Sequence, residues 1–330
     1  MIKRTFTIVE LLVAMALTFV VIMALSTIYV RISNFALEQA GSASSYSAGS
    51  TVLDKINDDM RHIYLPGTKP GTGGSPGRLI STLATRTTGT ANTISFQPSG
   101  SGWPYFGFTA TPSGNYTNAP AKQAIVYFCG PSLLDSSPSI GKISNNLLTL
   151  YRLTASNPSS TYFDSTTTLT ANSDKMISNK VIYMAMVAYL GYNPTGSRKA
   201  RTVFDTNSDS FSNSYNYTPE DVDVILTVVP DSGYLEFKIT SSPSGSSTFN
   251  SYHQSELAGE TVGDTAITKV STFSWDPEGF FANLTNGYIF YYRTNPTGGI
   301  IIWSASAPSS ISASDTLITG TTTKRRVTLK

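Results

Sequence analysis

Cysteine is almost absent from this chain, which has one cysteine in 330 residues. A single thiol excludes an intrachain disulfide and excludes the cysteine clusters that hold structural zinc. Cys129 lies in a short apolar run, Ile125–Gly130, whose β-branched and aromatic residues are typical of a strand. We therefore predict a buried, unreactive thiol, because a nucleophilic cysteine needs exposure and a neighbouring base.

Histidine is scarce as well. His62 and His253 are the only histidines, and neither belongs to an H-x-x-x-H pair, so we expect each to face solvent or to cap a backbone end. The sequence contains no G-x-x-x-x-G-K-[ST] loop and no G-x-G-x-x-G after a strand. We predict no catalytic residues and no enzyme activity. A hydrolase built on scattered carboxylates stays an open alternative.

Net charge is small, with 23 basic and 21 acidic side chains. Lys3 and Arg4 account for the excess, so the rest of the chain is balanced and we expect no nucleic-acid partner. Two basic clusters remain, Arg198-Lys199-Arg201 and Lys324-Arg325-Arg326. Each is predicted to be a solvated loop or a strand end.

A weak calcium candidate is the segment that contains Asp205, Asn207 and Asp209, whose side-chain oxygens alternate along the chain. It lacks the glycine at the sixth position of an EF-hand loop, and Asn216 stands where such a loop has a bidentate glutamate. A turn rich in Asn, Asp and Ser explains the same residues equally well. No other cofactor is expected.

The most informative feature present is an apolar run from Phe6 to Val30. Between Leu11 and Val30 it contains no charge, glycine or proline, and about 20 apolar helical residues cover a bilayer core of roughly 30 Å. Lys3 and Arg4 precede it, which favours a cytoplasmic N-terminus and an extracytoplasmic head. A secretory signal is the alternative, but the run is longer than usual and no A-x-A-like cleavage site follows it.

Glu10 is the only residue in that run that is charged at pH 7. An ionised carboxylate near the hydrocarbon boundary costs a few kcal/mol, so it needs a partner. Cleavage between Thr5 and Phe6 would create an α-amine one helical turn before Glu10. That ammonium could pair with the carboxylate of the same chain or of a neighbouring chain.

The residues from Lys3 to Ala14 resemble the N-terminal motif of type IV pilins and type II secretion pseudopilins. The resemblance implies cleavage before Phe6 by a prepilin peptidase and methylation of the new amine. It implies that Glu10 helps to draw the subunit into a filament, next to other pilin or pseudopilin subunits and on an inner-membrane assembly platform. The family usually has glycine where this chain has Thr5.

A helical spine is predicted to continue the spanning helix and to end before Pro66-Gly67. Gly41 and Gly49 lower helix propensity within it and are expected to bend or loosen it. The predicted divisions are therefore a cytoplasmic leader (1–5), a transmembrane helix (6–30), a spine (31–64), a Gly/Pro linker (65–78) and an exported head (79–330). Apolar residues recur at helical spacings along the spine, at Ile32, Phe35, Leu37, Leu53, Ile56, Met60 and Ile63.

The head is predicted to be mostly antiparallel β-structure, because Gly, Pro and Asn-rich turns separate its β-branched and aromatic runs. The fold class expected is thus α+β. The apolar segment Val181–Leu190 fits either a buried helix or a strand, and its Val, Ile and Tyr content favours a strand. The predicted strands are Leu79–Leu83, Thr93–Gln97, Tyr105–Thr109, Ala124–Cys129, Leu147–Leu153, Val181–Tyr192, Val222–Val229, Tyr234–Ile239, Ile267–Trp275, Tyr288–Tyr292, Ile300–Ser304 and Arg326–Leu329.

Four further pieces resemble parts of J-type minor pseudopilins and W-type minor pilins. They are Leu53–Arg61 at the end of the spine, the strand pair Ala124–Cys129 and Leu147–Leu153, and the later strand Asp221–Val228. Two aromatic segments, Gly102–Phe106 and Trp275–Phe281, are predicted to plug the core, with a contact surface as the alternative.

The sequence therefore predicts a structural subunit, most simply a minor tip or initiation component of a type IV pilus or a type II secretion pseudopilus. Its head is larger than a repeating shaft subunit of that family usually carries. The alternative is a permanently membrane-anchored extracytoplasmic binding module or adhesin. Glu10→Ala distinguishes the two, since a filament subunit needs the acid and an anchor does not.

Overall fold

The computed structural model of the chain describes one long helix and a β-sheet head. The described residues are 8–64, 77–90, 92–111, 122–135, 139–143, 146–156, 162–192, 198–206, 219–230, 233, 235–239, 267–269, 276–294, 300–305 and 310–329. Within them a single α-helix precedes two sheets whose pairings are antiparallel. The predicted α+β fold class is confirmed.

The helix, α1, extends over Ile8–Arg61 and has 54 residues. At a rise of 1.5 Å per residue it is about 80 Å long. Its first part, Ile8–Ala36, is long and apolar enough to cross a membrane, and none of its most apolar window is covered by the head. The predicted apolar helix is confirmed. The direction in which it crosses a membrane stays a prediction.

The second part of α1 packs on the head through residues spaced three and four positions apart, which is the spacing of one helix face. Isoleucine, leucine and methionine form the later positions of this stripe, and small residues form the earlier ones. The buried stripe consists of Gly41, Ser45, Gly49, Val52, Leu53, Ile56 and Met60.

Gly41 and Gly49 do not interrupt the helix, so the expected loosening does not occur, and the expected bend stays a prediction. A Cβ atom added at Gly49 would lie 2.7 Å from Thr323 Oγ1, which is closer than real Cβ atoms approach. Glycine therefore lets the helix backbone come close to the head, and this packing offsets its low helix propensity. The buried Ser45 hydroxyl donates to the Gly41 carbonyl oxygen at 2.8 Å, so it needs no partner in the head.

The described part of the head contains seventeen strands and a short 3₁₀ turn over Ser173–Lys175. The strands are β1 (Leu79–Thr90), β2 (Thr93–Pro98), β3 (Trp103–Ala110), β4 (Gln123–Gly130), β5 (Leu148–Ser156), β6 (Leu169–Asn172), β7 (Met176–Tyr192), β8 (Arg198–Arg201), β9 (Phe204–Asp205), β10 (Asp221–Val228), β11 (Leu235–Ile239), β12 (Ile267–Lys269), β13 (Glu278–Asn283), β14 (Ile289–Thr294), β15 (Ile300–Ser304), β16 (Leu317–Thr319) and β17 (Thr321–Thr328).

The first sheet has the strand order β17-β10-β7-β5-β4-β3-β1-β2-β6. In addition, β8 pairs with β7 and β9 pairs with β1, although only two residues separate β8 from β9. Because β7 and β1 are otherwise linked through β5, β4 and β3, this segment joins the two ends of that run and the sheet curls on itself. Its strands β3, β4 and β10 are buried along almost their whole length.

The second sheet has the order β12-β11-β16-β13-β14-β15 and packs against β10 and β7 of the first. The backbone N–H of Phe280 donates to Thr227 Oγ1 at 3.1 Å. The Phe280 ring lies 4.8 Å from the Tyr183 ring, measured between centroids. Both sheets therefore contribute to one apolar core, and most of its large members are aromatic.

The predicted strands agree with the structure where β-branched and aromatic residues are dense. Val181–Leu190 is a strand, as favoured, within the long β7. Five strands were missed, namely β6, β8, β9, β13 and β16. Four of them have only two to four residues, and β13 was interpreted as part of the aromatic segment Trp275–Phe281. Of the predicted Ile267–Trp275 strand, Ile267–Lys269 is a strand and the remainder lies outside the described residues.

The end of the predicted linker, Arg78, belongs to the core, whereas residues 65–76 lie outside the described part. Its guanidinium donates to both carboxylate oxygens of Asp205, from Nε at 3.0 Å and from Nη2 at 2.6 Å. It also forms an ion pair with Asp164. A buried arginine is tolerated here because paired carboxylates offset its loss of hydration.

The basic cluster Lys324-Arg325-Arg326 lies within β17, so the predicted solvated loop or strand end is wrong. Arg326 donates to both oxygens of the fully buried Asp223 at 2.7 and 2.9 Å. Lys324 lies 3.0 Å from the same carboxylate and also pairs with Glu278 of the second sheet. Burial opposes ionisation of Asp223, but these hydrogen bonds outweigh it and lower the pKa of Asp223.

The lowered pKa predicts a pH dependence of stability. Because the pKa of Asp223 is lower in the folded chain, its contribution is complete above the unfolded value of about 3.9 and is lost as the pH falls through the folded value. We expect Asp223→Asn to reduce the free energy of unfolding at pH 7 by about 1–2 kcal/mol. The difference from the native chain should shrink below about pH 4.

Urea titrations of the full chain in detergent, at pH 7 and pH 3, measure both values. The matched control is Asp174→Asn, because Asp174 is exposed and bonds only to Asn172 among the described residues. It should leave stability unchanged at both pH values. An Asp223→Asn deficit of equal size at pH 7 and pH 3 would contradict the assignment.

Candidate assembly site

The candidate assembly residue, Glu10, lies in the first turn of α1 with its side chain exposed. The predicted processing residues, Thr5 and Phe6, lie outside the described residues. The N-terminal turn is a favourable place for an acid, because backbone N–H groups point toward it. The role of Glu10 stays a prediction.

The apolar part of α1 is exposed around its whole circumference. Large side chains from Ile8 to Phe35 are each more than half exposed, on every face of the helix. The hydroxyls of Thr18 and Thr27 each donate a hydrogen bond to the backbone carbonyl oxygen four residues earlier, at 2.8 and 2.9 Å. Their polar groups are thus satisfied inside the helix, as an apolar environment requires.

At its other end the helix is joined to the head by the Asp59 carboxylate. Arg152 of β5 donates to Asp59 Oδ2 from Nε at 2.6 Å and to Oδ1 from Nη2 at 3.0 Å. The Tyr127 hydroxyl of β4 donates to Oδ2 as well. Burial, and next the Asp59 charge, raise the pKa of Tyr127 well above its ordinary value, so this phenol stays a donor.

This joint brings together three of the pieces that resemble minor pseudopilins and minor pilins. Asp59 comes from Leu53–Arg61, Tyr127 from Ala124–Cys129 and Arg152 from Leu147–Leu153. The fourth piece, Asp221–Val228, lies in β10 and supplies Asp223 to the separate network with β17. The sequence singled out these segments but did not predict their contacts.

The helix ends directly beyond the joint. His62 Nδ1 lies 2.9 Å from the Asp58 carbonyl oxygen, so its ring caps the end of α1, in agreement with the capping role expected for His62. Ile63 then forms a bridge with Ala110, and the Thr111 N–H donates to the His62 carbonyl at 2.9 Å. The chain therefore passes directly from the end of α1 to the end of β3, and these hydrogen bonds hold the connection.

Successive residues of α1 contact successive strands of the first sheet. Gly49 lies against Thr323 and Asp54 pairs with Arg325, both in β17. Asp59 bonds to β5 and β4, and Ile63 pairs with β3. The helix therefore crosses the strands of the first sheet from β17 to β3. Contacts at four points hold it there, so the exposed apolar part extends from a fixed support.

The calcium candidate is not assembled by the described residues. Both carboxylate oxygens of Asp205 accept hydrogen bonds from Arg78, and Asn207 and Asp209 lie outside the described part. A positive guanidinium beside Asp205 disfavours a second cation there. No group of three His, Cys, Asp or Glu side chains suited to a metal occurs among the described residues. The weak calcium candidate stays untested.

Other residues singled out in the sequence are part of the core. Cys129 is fully buried as predicted, and burial raises the pKa of its thiol far above the ordinary value. Trp103, Tyr105 and Phe106 are buried in β3, and Phe280 and Phe281 are buried in β13, as plugs of the core. His253 and Trp275 lie outside the described residues.

Sequence reasoning missed the two contacts that fix the helix, Asp59 with Arg152 and Gly49 with Thr323. A signal for the first existed, because an arginine inside an apolar strand needs an acidic partner. No signal identified the second.

Comparisons of the chain with protein-family models, with curated proteins and with solved structures find no match.

The Asp59 joint gives a prediction with a control at the neighbouring residue. The Asp59 side chain is 10% exposed, whereas the Asp58 side chain is 65% exposed and pairs only weakly with Arg61 at 3.6 Å. Asp59→Asn should lower the free energy of unfolding by about 2 kcal/mol, because the partly buried Arg152 loses its counter-charge. Asp58→Asn should cost less than about 0.5 kcal/mol.

Chemical denaturation of the full chain in detergent, followed by tryptophan fluorescence, measures both effects. Trp103 and Trp303 are buried in the head and report its unfolding. Equal effects of the two substitutions would show that Asp59 does not join the helix to the head.

Proposed function

We propose that this chain is a structural subunit of a filament, inserted in a membrane through the first part of α1 before assembly. In this proposal it is a minor component, at the tip or at initiation, of a type IV pilus or a type II secretion pseudopilus. A prepilin peptidase cleaves before Phe6, and the head faces the outside of the membrane. The proposal assigns no catalytic role to the chain.

The observation that carries the proposal is the division of one continuous helix into two environments. One face of the helix is buried against the head from Gly41 to Met60. The most apolar window within Ile8–Ala36 is not covered by the head at all. A bare apolar helix must be surrounded either by lipid or by other apolar helices. A subunit that moves from a bilayer into a helical bundle meets both surroundings in turn, with its head unchanged.

Glu10 supports the proposal because it gives a direction to that transfer. In a bilayer the carboxylate is poorly solvated near the hydrocarbon boundary, at a cost of a few kcal/mol. After cleavage, the α-amine of a neighbouring Phe6 supplies a charge that the carboxylate can pair with. Pairing and the packing of apolar surfaces then both favour the filament over the isolated helix.

The fixed joint supports the proposal as well. Asp59 holds the end of α1 to β5 and β4, and Gly49 packs on β17. A force applied to the apolar helix by an assembly platform is therefore transmitted to the head without a flexible linker. The head is built of two sheets. A head of this size suits a position in the filament that only a few copies occupy.

The main test replaces Glu10 by glutamine, which keeps the size and removes the charge. We expect Glu10→Gln to insert in the membrane normally and to enter sheared filaments about tenfold less than the native chain, because the pairing energy is lost. The matched control is Thr27→Ala, since its hydroxyl bonds only within the helix. It should assemble normally.

Normal filament entry of Glu10→Gln would remove the assembly role of the acid. Absence of the native chain itself from sheared filaments would make the permanently anchored binding module the better account of the chain. In that case the ligand of the head, and not a filament, is the object to search for.

Processing provides a second prediction. In cells that contain a prepilin peptidase, intact mass and N-terminal sequencing of the extracted chain should show an N-methylated Phe6. Thr5→Gly should be processed at least as completely, because glycine places no side chain against the peptidase. A native chain that retains Met1 to Thr5 while Thr5→Gly is cleaved would mean that Thr5 blocks the pathway.

A further inference from the structure

The strand β17 is the last in chain order that the structure describes, and it lies at the edge of the first sheet. It pairs with β10 over its full length, from Asp221 opposite Thr328 to Val228 opposite Thr321. Successive residues of a strand point to opposite faces. Thr323, Arg325 and Val327 therefore share one face, and Thr322, Lys324 and Arg326 share the other.

The face that carries Thr323 forms the seat of the helix. A Cβ atom at Gly49 would lie 2.7 Å from Thr323 Oγ1 and 3.6 Å from Thr323 Cβ. Arg325 forms an ion pair with Asp54, five residues further along α1. Val327, on the same face, is buried as well. Thus a segment more than 250 residues later in the chain supplies the surface on which this part of α1 rests.

The opposite face of β17 holds the second sheet. The Thr322 N–H donates to Asp276 Oδ2 at 2.7 Å, and its hydroxyl bonds to Thr227 at 2.9 Å. Lys324 bonds to Glu278 of β13. Without β17, the buried carboxylate of Asp223 would also lose Lys324 and Arg326. One strand therefore contacts the helix, the first sheet and the second sheet at once.

We propose that β17 is a latch that seats the helix segment Gly49–Asp54 only when residues 321–328 have paired with β10. At Asp59 and Ile63 the rest of the joint uses β5, β4 and β3, which come much earlier in the chain, together with packing on β10. Seating thus has two steps. The end of α1 docks as the early strands form, and the segment before it docks when β17 arrives.

This order makes the rigid joint a property of chains that have been exported and folded through β17. A subunit interrupted before Thr321 keeps its apolar helix but loses the β17 part of its support, so that only β10 and the contacts at Asp59 and Ile63 hold it. The link to assembly rests on the proposed function. The latch itself is a property of the folded chain, so it is tested on purified protein and its failure leaves the filament proposal untouched.

The test measures thiol labelling at two buried helix positions in the full chain, in a Cys129→Ala background. Leu53→Cys reports the segment seated by β17, and Met60→Cys reports the end held at Asp59; the native side chains are 2% and 1% exposed. We expect deletion of residues 321–330 to speed labelling of the Leu53→Cys variant about tenfold, because the segment opens more often. Labelling of the Met60→Cys variant should stay slow.

Slow labelling at both positions after the deletion would overturn the latch. Fast labelling of both cysteine variants would mean that the deletion disrupts the head. The Gly49→Leu substitution in the undeleted chain then tests the latch. Its side chain meets Thr323 and should displace the segment, again speeding labelling of the Leu53→Cys variant, whereas Thr51→Leu on the exposed side should not. Unchanged labelling in Gly49→Leu would overturn the latch.

A disulfide provides a direct check of the seat. The Cβ separation of 3.6 Å between positions 49 and 323 falls in the range of natural disulfides. Gly49→Cys with Thr323→Cys should form the bond on mild oxidation, as seen by intact mass before and after reduction. Thr51→Cys with Thr323→Cys should not. Failure of the first pair to form the bond would also overturn the latch.

Discussion

The rest of the structure depends on the need of one buried carboxylate, Asp59, for partners. Two nitrogens of Arg152 and the Tyr127 hydroxyl bond to its oxygens, and the three residues come from three separate elements. Rotation of α1 about its axis, or a slip by one turn of about 5.4 Å, would separate the carboxylate from Arg152 and Tyr127 and leave it with Lys55 of its own helix, at 3.6 Å. The joint therefore fixes the angle and the axial position of the helix. Close packing at Gly49 adds a steric limit to the same placement.

Buried ion pairs occur at other boundaries of the head as well. Arg78 with Asp205 joins the start of β1 to β9, and Asp223 with Arg326 joins β10 to β17. Such pairs recover in Coulomb attraction and hydrogen bonds roughly what they lose in hydration, so they add little net stability. Their effect is on the choice of arrangement, because a different strand order would leave charges unpaired. This suits a head whose loops are rich in serine and threonine and whose apolar pattern alone specifies register weakly.

The sequence predicted the elements whose pattern is local. An unbroken apolar run predicted the helix of Ile8–Ala36, and β-branched and aromatic residues predicted β4, β5, β7 and β10. It predicted only the last part of β17, as Arg326–Leu329, because residues 321–325 are threonine and basic residues and resemble a loop when their neighbours are unknown. The polar residues of β17 are explained only by Asp54, Asp223 and Glu278, which lie between 46 and 271 positions away. Gly49 was misread for the same reason, since its partner Thr323 is equally distant in the chain.

The threonines of the apolar helix bond to their own backbone, and this restricts how identical helices can recognise one another. With the Thr18 and Thr27 hydroxyls already occupied, these side chains offer a neighbour little directional hydrogen bonding. Apolar side chains that pack as ridges into grooves allow several axial registers of two helices, and no charge in that packing distinguishes one register from another. Glu10 is the only residue between Phe6 and Val30 that is charged at pH 7, so it alone marks an axial position by charge. In a bundle of such helices, Glu10 would thus set the axial offset between neighbouring helices. The rest of each helix would take up the same offset.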